Sequence, residues 1–326
     1  MMETYKSIYA PFLNQFIDFK RSLGYKFRAE YTYLLFDRFV QTENIKSIGL
    51  TKEFADKWGL SRPNEASQTR YHRVALVTQF SSFLNGLGFS SYIPKLPKIS
   101  CTFTPYIFSK NEMETFFSSC DRIQTGCKQF DTCISLVPAL FRLLYGTGIR
   151  ISEALNLHNK EINLEENYLI IKESKNGKDR LIPLSESLSN VLNEYLEYRN
   201  SHWQNSCDDD YFFITHRGIQ CSRRTSYNWF RRILFKAGIA HGGRGNGPRV
   251  HDFRHTFSVH SLVTMANSGL DLYYSLPILS TYLGHQSLEA TEQYVRLTSE
   301  MYPNLLHDVN GLCKYVFPDS IGYEAN

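Results

Sequence analysis

At 326 residues the chain has length for two domains with real hydrophobic cores, and 42% hydrophobic with 21% charged residues is a globular rather than a disordered composition. No apolar run approaches a membrane span and the N-terminus lacks a signal-peptide core, so a cytoplasmic protein with no membrane partner is expected. The net charge of +4 is too mild to mark a nucleic-acid binder by itself, and seven cysteines without a Cys-x-x-Cys argue against a disulfide framework and a zinc ribbon alike.

The first hundred residues read as helical. Ile8, Phe12, Phe16 and Phe19 recur at helical spacing, with Gly24 as a stop. A second apolar stripe covers 31–40, Thr51 is suited to cap a third helix, and 65–84 makes a fourth that Gly86 and Gly88 end. Lys57, Arg62, Arg70 and Arg73 are spread among these helices. Such a bundle suits a DNA grip and, nearly as well, any helical interaction domain. Pro94-Lys95-Leu96-Pro97-Lys98 is stiff and basic, and proline removes helix as an option, so a linker over 93–105 separates a domain at 1–92 from one at 106–326.

Ser109-Lys-Asn-Glu112 is a capping-box pattern and opens the second domain. An apolar helix over 129–144 breaks at Gly146 and Gly148, which deliver Arg150 to a new helix start in Thr147-Gly148-Ile149-Arg150-Ile151-Ser152-Glu153-Ala154-Leu155. Between 161 and 184 the period changes. Tyr168-Leu-Ile-Ile-Lys-Glu and Lys178-Asp-Arg-Leu-Ile-Pro-Leu read as two strands around Asn176-Gly177, a strong hairpin signal with Lys175 at its tip. Helices follow at 187–199 and 222–238, with a short strand at 211–215 between them. The second of these helices gathers Arg223, Arg224, Arg231, Arg232 and Lys236, which is either a phosphate-binding surface or a solvated face. The glycine-rich loop at 241–248 lacks the Gly-Lys-Ser/Thr ending of a nucleotide cradle and reads as a flexible approach to the next helix.

That helix opens with His251-Asp252-Phe253-Arg254-His255, where His251 and Arg254, three apart, share a face. Leu283-Gly284-His285 then supplies a turn and another imidazole, and Tyr294 lies in an amphipathic run over 287–297. Basic groups, imidazoles and a phenol are what a site needs to bind a phosphodiester and attack it. His251 and His255, four apart, also have the spacing of zinc ligands. No Glu follows the first histidine, however, and Arg254 would set a cation beside the metal, so no metal is expected.

In order, rough spacing and context (T-G-I-R-I-S-E-A-L, H-D-F-R-H-T-F and L-G-H), the set Arg150, Lys175, His251, Arg254, His285 and Tyr294 resembles the active site of the tyrosine recombinases, the phage integrase family, of a mobile-element or Xer-like type. The motifs cover residues 106–326; for 1–92 the likeness is architectural. The resemblance implies a mainly α (α+β) chain: an N-terminal helical, SAM-like core-binding domain, then a larger, mostly helical catalytic domain with a small antiparallel β-sheet.

It also implies roles. Arg150 and Arg254 would clamp the two non-bridging oxygens of the transition state, since a guanidinium fork bonds two oxygens and keeps its proton. Tyr294 would attack the phosphate, form a 3′-phosphotyrosyl bond and release a 5′-hydroxyl; Tyr302, its rival by position, is followed by Pro303. Lys175 would protonate the leaving oxygen, with Lys172 and Lys178 as competitors. His251 and His285 would bond phosphate oxygens or take the tyrosyl proton. Glu153 would orient the cluster and His255 would support it structurally. DNA contacts fall to Arg70, Arg73, Lys95, Lys98, Arg223, Arg224 and Arg231. Neither metal nor nucleotide cofactor is needed.

The partners so implied are double-stranded recombination sites, other copies of the chain in a tetramer on two duplexes, and accessory DNA-bending or directionality proteins, with the protein nucleoid-associated when bound. Apolar residues over 301–317 would dock on a neighbour or pack within the chain. The segment 269–283 is a few residues longer than the family spacing, which unsettles helix boundaries there. Two further readings remain: a nicking-closing enzyme of the type IB topoisomerase kind, which shares the residue set, and a catalytically idle DNA-binding protein that keeps the fold, against which the full residue set argues.

Overall fold

A computed structural model of the chain describes residues 5–25, 29–100, 104–123, 131–172, 179–203, 207–215, 217–243, 247–285, 291, 294 and 296–298. The chain divides into two compact units, residues 1–104 and 105–326.

Among the described residues unit 1 holds four helices: α1 (Ala10–Ser22), α2 (Glu30–Thr42), α3 (Lys52–Gly59) and α4 (Ser67–Gly86). Its core is largely aromatic. Phe80 on α4 stands edge-on to Tyr9 and Phe16, each at 5.8 Å, and to Phe36 at 6.0 Å, an arrangement that matches ring edges to ring faces. The buried stripe entering α1 is Tyr9, Leu13, Phe16 and Ile17, while Ile8 and Phe19 are 36% and 47% exposed. The face is thus offset by one residue from the simplest spacing of its phenylalanines. Thr51 Oγ1 accepts the Phe54 N–H at 3.2 Å and caps α3.

Arg73 corrects a DNA-contact assignment. It is 4% exposed, and its guanidinium is spent inside the unit on Glu65 Oε1 and Oε2 at 2.8 Å each, on Leu60 O at 2.9 Å and on Trp58 O. A side chain that ties α3 to α4 in this way has no reach to a phosphate. Arg70 is half-buried and donates from Nε to Gly59 O at 2.7 Å. The stretch read as a linker has no regular structure, but much of it rides on unit 1: Thr78 Oγ1 donates to Pro94 O at 3.1 Å and Ser67 Oγ to Ser100 O at 2.9 Å. Lys95 and Lys98 are exposed there.

Unit 2 begins with α5 (Lys110–Asp121), whose capping box is complete: Ser109 Oγ accepts from Glu112 N at 3.2 Å and Glu112 Oε2 from Ser109 N at 2.8 Å. The apolar α6 (Asp131–Thr147) carries Pro138 inside it, and the short α7 (Ile151–Leu155) follows the glycine break. A three-stranded antiparallel sheet comes next, with β1 (Ile162–Asn163), β2 (Tyr168–Ile171) and β3 (Arg180–Pro183) in that order. At two residues, β1 is too short to show alternation, so only the β2–β3 hairpin was legible. Its tip, with Lys175 and Asn176-Gly177, lies outside the described residues, as does 301–317. The strand expected at 211–215 is reduced to single bridges, His158 to Tyr211 and Ile214 to Gln220.

Further helices among the described residues are α8 (Glu186–His202), α9 (Arg223–Lys236), α10 (Asp252–Asn267) and α11 (Leu272–Leu283). The long segment before the L-G-H turn is therefore helical, with Pro277 accommodated inside α11. Phe253, on the first turn of α10, meets Phe108 at 5.5 Å, Phe116 at 5.2 Å, and Phe141 and Phe230 at 5.6 Å. This ring anchors the helix end that carries His251, Arg254 and His255. A second cluster, including Val259, Leu262, Leu279 and Leu283, encloses Tyr294 and Leu297. Among the described residues, no helix is long and apolar enough to cross a membrane.

Candidate active site

The break between α6 and α7 places Arg150. Gly148 has φ +61, a conformation natural to glycine, and an added Cβ would stand 2.3 Å from Phe257 Cδ1. The chain then turns so that Arg150, extended at φ −72 and ψ 144, caps α7. Glu153 in the first turn reaches back, its Oε2 taking the Arg150 N–H at 2.8 Å and its Oε1 the Arg150 Nη1 at 2.7 Å. Burial alone would raise the Glu153 carboxyl, but hydrogen bonds from Arg180 and Arg150 hold it below the usual range.

Arg254 joins three segments. It is 2% exposed, donating from Nη1 to Gly148 O at 2.9 Å and from Nη2 to Leu283 O at 2.7 Å. Both ends of the guanidinium are thereby fixed, and a further hydrogen bond from it to the Tyr294 hydroxyl favours the ionised phenol. Burial and the charge of Arg150 push it down to about 10, so it stays cationic at neutral pH.

Tyr294 is 1% exposed. Its hydroxyl lies 3.0 Å from His255 Nδ1, while the His285 ring stacks on the phenol at 6.2 Å. Burial raises its pKa, and the charges of Arg254 and Arg150 act in the opposite direction. The imidazole in hydrogen-bond reach is thus that of His255, to which the resemblance gave only a supporting role. His251, which keeps an exposed edge, meets His255 ring to ring at 4.9 Å. His285 Nδ1 pairs with Thr291 Oγ1 at 2.7 Å. Desolvation, then neighbouring charge, pushes His251 and His285 down to about 4 and His255 to about 3, so all three are neutral at pH 7.

Two arginines at this site escaped the sequence reading. Arg249 pairs with the fully buried Asp252, Nη2 to Oδ1 at 2.8 Å, and its charge reaches His251 and His255. Arg180 on β3 shares the Glu153 carboxylate with Arg150. The signal for Arg180 was strand alternation, which sets it on the same face as the buried Ile182.

Arg150, His251, Arg254, His255, His285 and Tyr294 are therefore gathered in one place, with Glu153 beside Arg150. Lys175 lies outside the described residues. The other basic residues stand apart from this cluster in sequence: Arg223 and Arg224 are exposed at the start of α9, where Ser222 Oγ accepts from Thr225 N at 3.0 Å, and Arg231 is half-buried, donating to Tyr227 Oη at 3.2 Å. Among the described residues, no cluster of His, Cys, Asp or Glu has the makings of a metal site.

Comparisons with known proteins give the family. The chain is 29% identical over 304 residues to integrase/recombinase y4rB of Sinorhizobium fredii, which spans 90% of this chain and 95% of that one. It is 35% identical over 161 residues to tyrosine recombinase XerA of Pyrococcus furiosus, 48% of this chain and 49% of that one. In fold it is similar to the Tn1549 transposon integrase solved with a circular-intermediate DNA, with TM-score 0.63, 18% identity, and coverage of 87% of this chain and 94% of that one. It is similar also to the XerH site-specific recombinase on a difH substrate, with TM-score 0.61, 22% identity, and coverage of 83% and 75%. The profile of the phage integrase family matches residues 107–301, the stretch that holds both arginines, the three imidazoles and the buried phenol, and this chain belongs to that family of tyrosine recombinases.

Proposed function

We propose that the protein is a site-specific DNA recombinase that cuts and rejoins strands through a 3′-phosphotyrosyl bond on Tyr294. One observation carries the reading: two cationic guanidinium groups, from Arg150 and Arg254, act on the same buried phenol that an imidazole holds at 3.0 Å. In the attack, the Tyr294 Oη–phosphorus bond forms as the bond to the 5′-oxygen breaks. The phenolic proton passes to a neighbouring imidazole, His255 being nearest, and the leaving 5′-oxygen takes a proton from Lys175. Arg150 and Arg254 bond the non-bridging oxygens, where preorganised charge acts most strongly on the barrier. His251 and His285, neutral at pH 7, bond the same phosphate without a competing proton equilibrium.

The ester conserves the bond energy, so rejoining is the reverse attack by a 5′-hydroxyl; when that hydroxyl belongs to another duplex, strands are exchanged. Strand exchange needs a tetramer on two duplexes, with accessory DNA-bending proteins where the site demands them. Unit 1 serves as the core-binding domain, and Lys95, Lys98, Arg223 and Arg224, all exposed, contact phosphates. The substrate is the end of a mobile element, met in the cytoplasm on nucleoid DNA. The Tn1549 transposon integrase and y4rB, the latter similar along nearly the whole chain, support that choice.

The test uses duplexes cut from the DNA flanking the gene, nicked so that the cleaved strand diffuses away. The protein should form a covalent adduct whose DNA-linked peptide contains Tyr294, and two such sites should give recombinant product. Adduct at another residue rejects the mechanism; relaxation without recombinant product identifies a topoisomerase instead.

A further inference from the structure

Arg180 belongs to none of the recognised motifs, yet the segments that carry the chemistry converge on it. Its side chain, 12% exposed, donates from Nη2 to Glu153 Oε2 at 2.7 Å, with Nη1 at 3.4 Å from Oε1. The same carboxylate holds Arg150 Nη1 at 2.7 Å and Arg150 N at 2.8 Å. One buried carboxylate is thus divided between two guanidinium groups from different elements. On its other side Arg180 lies against the L-G-H turn: a Cβ on Gly284, which has φ +66, would stand 3.0 Å from Nη1 and 3.4 Å from Cδ and Cζ. The preceding carbonyl, Leu283 O, is the one that fixes Arg254.

A contribution to stability alone accounts poorly for this placement. Arg180 Nε is buried with no hydrogen-bond partner among the described residues, and burying a charge with an unfilled donor is a net cost that packed apolar groups avoid. The arrangement does have an electrostatic use. With Arg180 taking part of the Glu153 charge, Arg150 is oriented by the carboxylate without being neutralised by it, and its side chain remains 22% exposed.

We propose that Arg180 is a positioning residue for strand cleavage: through the shared Glu153 carboxylate it aims Arg150, and through Gly284 it sets the turn that carries His285, so both meet one phosphate. This rests on the recombinase reading. The test is single-turnover adduct formation at saturating protein on the nicked flanking-DNA duplex, alongside DNA affinity and thermal unfolding. Arg180→Met should slow adduct formation by about 10–100-fold, the usual loss when a partner of an active group is removed, with DNA affinity unchanged. Arg180→Lys should recover part of the rate, since an ammonium restores the charge but not the fork. In a Glu153→Gln background, Arg180→Met should add little, because both changes act on Arg150 through one carboxylate.

A wild-type rate in Arg180→Met overturns the proposal, as do rate losses that multiply in the double variant. Should Arg180→Met fail to fold, Arg180→Lys and Gly284→Ala decide the matter, and wild-type rates in both overturn it. Wild-type protein that forms no adduct overturns the recombinase reading itself, and Arg180's part with it, whereas wild-type cleavage matched by Arg180→Met removes only the latter.

Discussion

Tyr294 Oη and His255 Nδ1 sit 3.0 Å apart in a pocket where both side chains are buried, so the phenol is held before any substrate arrives. Tyr294→Phe removes that bond and the proposed nucleophile together. Covalent adducts on a nicked duplex should vanish while DNA affinity stays at the wild-type value, and the lost bond should lower stability by only about 1 kcal/mol. Undiminished adducts in a denaturing gel would assign the chemistry elsewhere.

Three neutral imidazoles make unit 2 sensitive to acid. His251, His255 and His285 titrate near 6.5 when exposed but at about 4, about 3 and about 4 when folded. Below pH 6.5 the unfolded chain binds protons that the folded chain refuses, so stability falls as pH drops, down to about 4 for His251 and His285 and to about 3 for His255. The melting temperature should decline between pH 7 and pH 5, above the range where carboxylates titrate. His255→Asn should make that decline shallower; a profile unchanged by the substitution would show that His255 is not held neutral.

Gly148 bears two loads, a left-handed backbone at φ +61 and a carbonyl that accepts from Arg254. Gly148→Ala adds a left-handed cost of about 1–2 kcal/mol and drives a methyl group into Phe257, whose ring stacks on Tyr282 at 5.6 Å. Chemical denaturation should show a loss larger than the backbone cost alone, and cleavage should slow as Arg254 shifts.

Arg73 and the Arg223-Arg224 pair should separate cleanly. Arg73→Ala leaves Glu65 buried without its partner and should destabilise unit 1 by about 3–5 kcal/mol, the usual penalty for breaking a buried pair. The double change of Arg223 and Arg224 to Ala should leave melting unaltered and reduce the salt dependence of DNA binding, by about one phosphate contact per arginine. Equal melting temperatures for Arg73→Ala and wild type would return Arg73 to the surface.

Local rules made much of this legible. The Ser109 and Thr51 caps, the glycine break before Arg150 and the β2–β3 pattern are written in adjacent residues, and the structure follows them. What escaped depends on distant parts of the chain. Nothing local distinguishes Arg73, spent on carbonyls, from Arg224, exposed on α9; both are arginines on helices. The two-residue β1 exists because β2 offers an edge, and the isolated bridges at 211 and 214 replace a strand that local propensity favours. The geometry of the site was hidden for the same reason: which imidazole reaches the phenol depends on how α10 packs beside the segment holding Tyr294.

The double grip of Arg254 on Gly148 O and Leu283 O has a biological corollary. Those acceptors lie on opposite sides of it along the polypeptide, and the phenol follows later still, so no stub released early from the ribosome carries a working cutter. On the recombinase reading proposed above, strand cutting therefore waits until synthesis has passed the segment that holds the phenol.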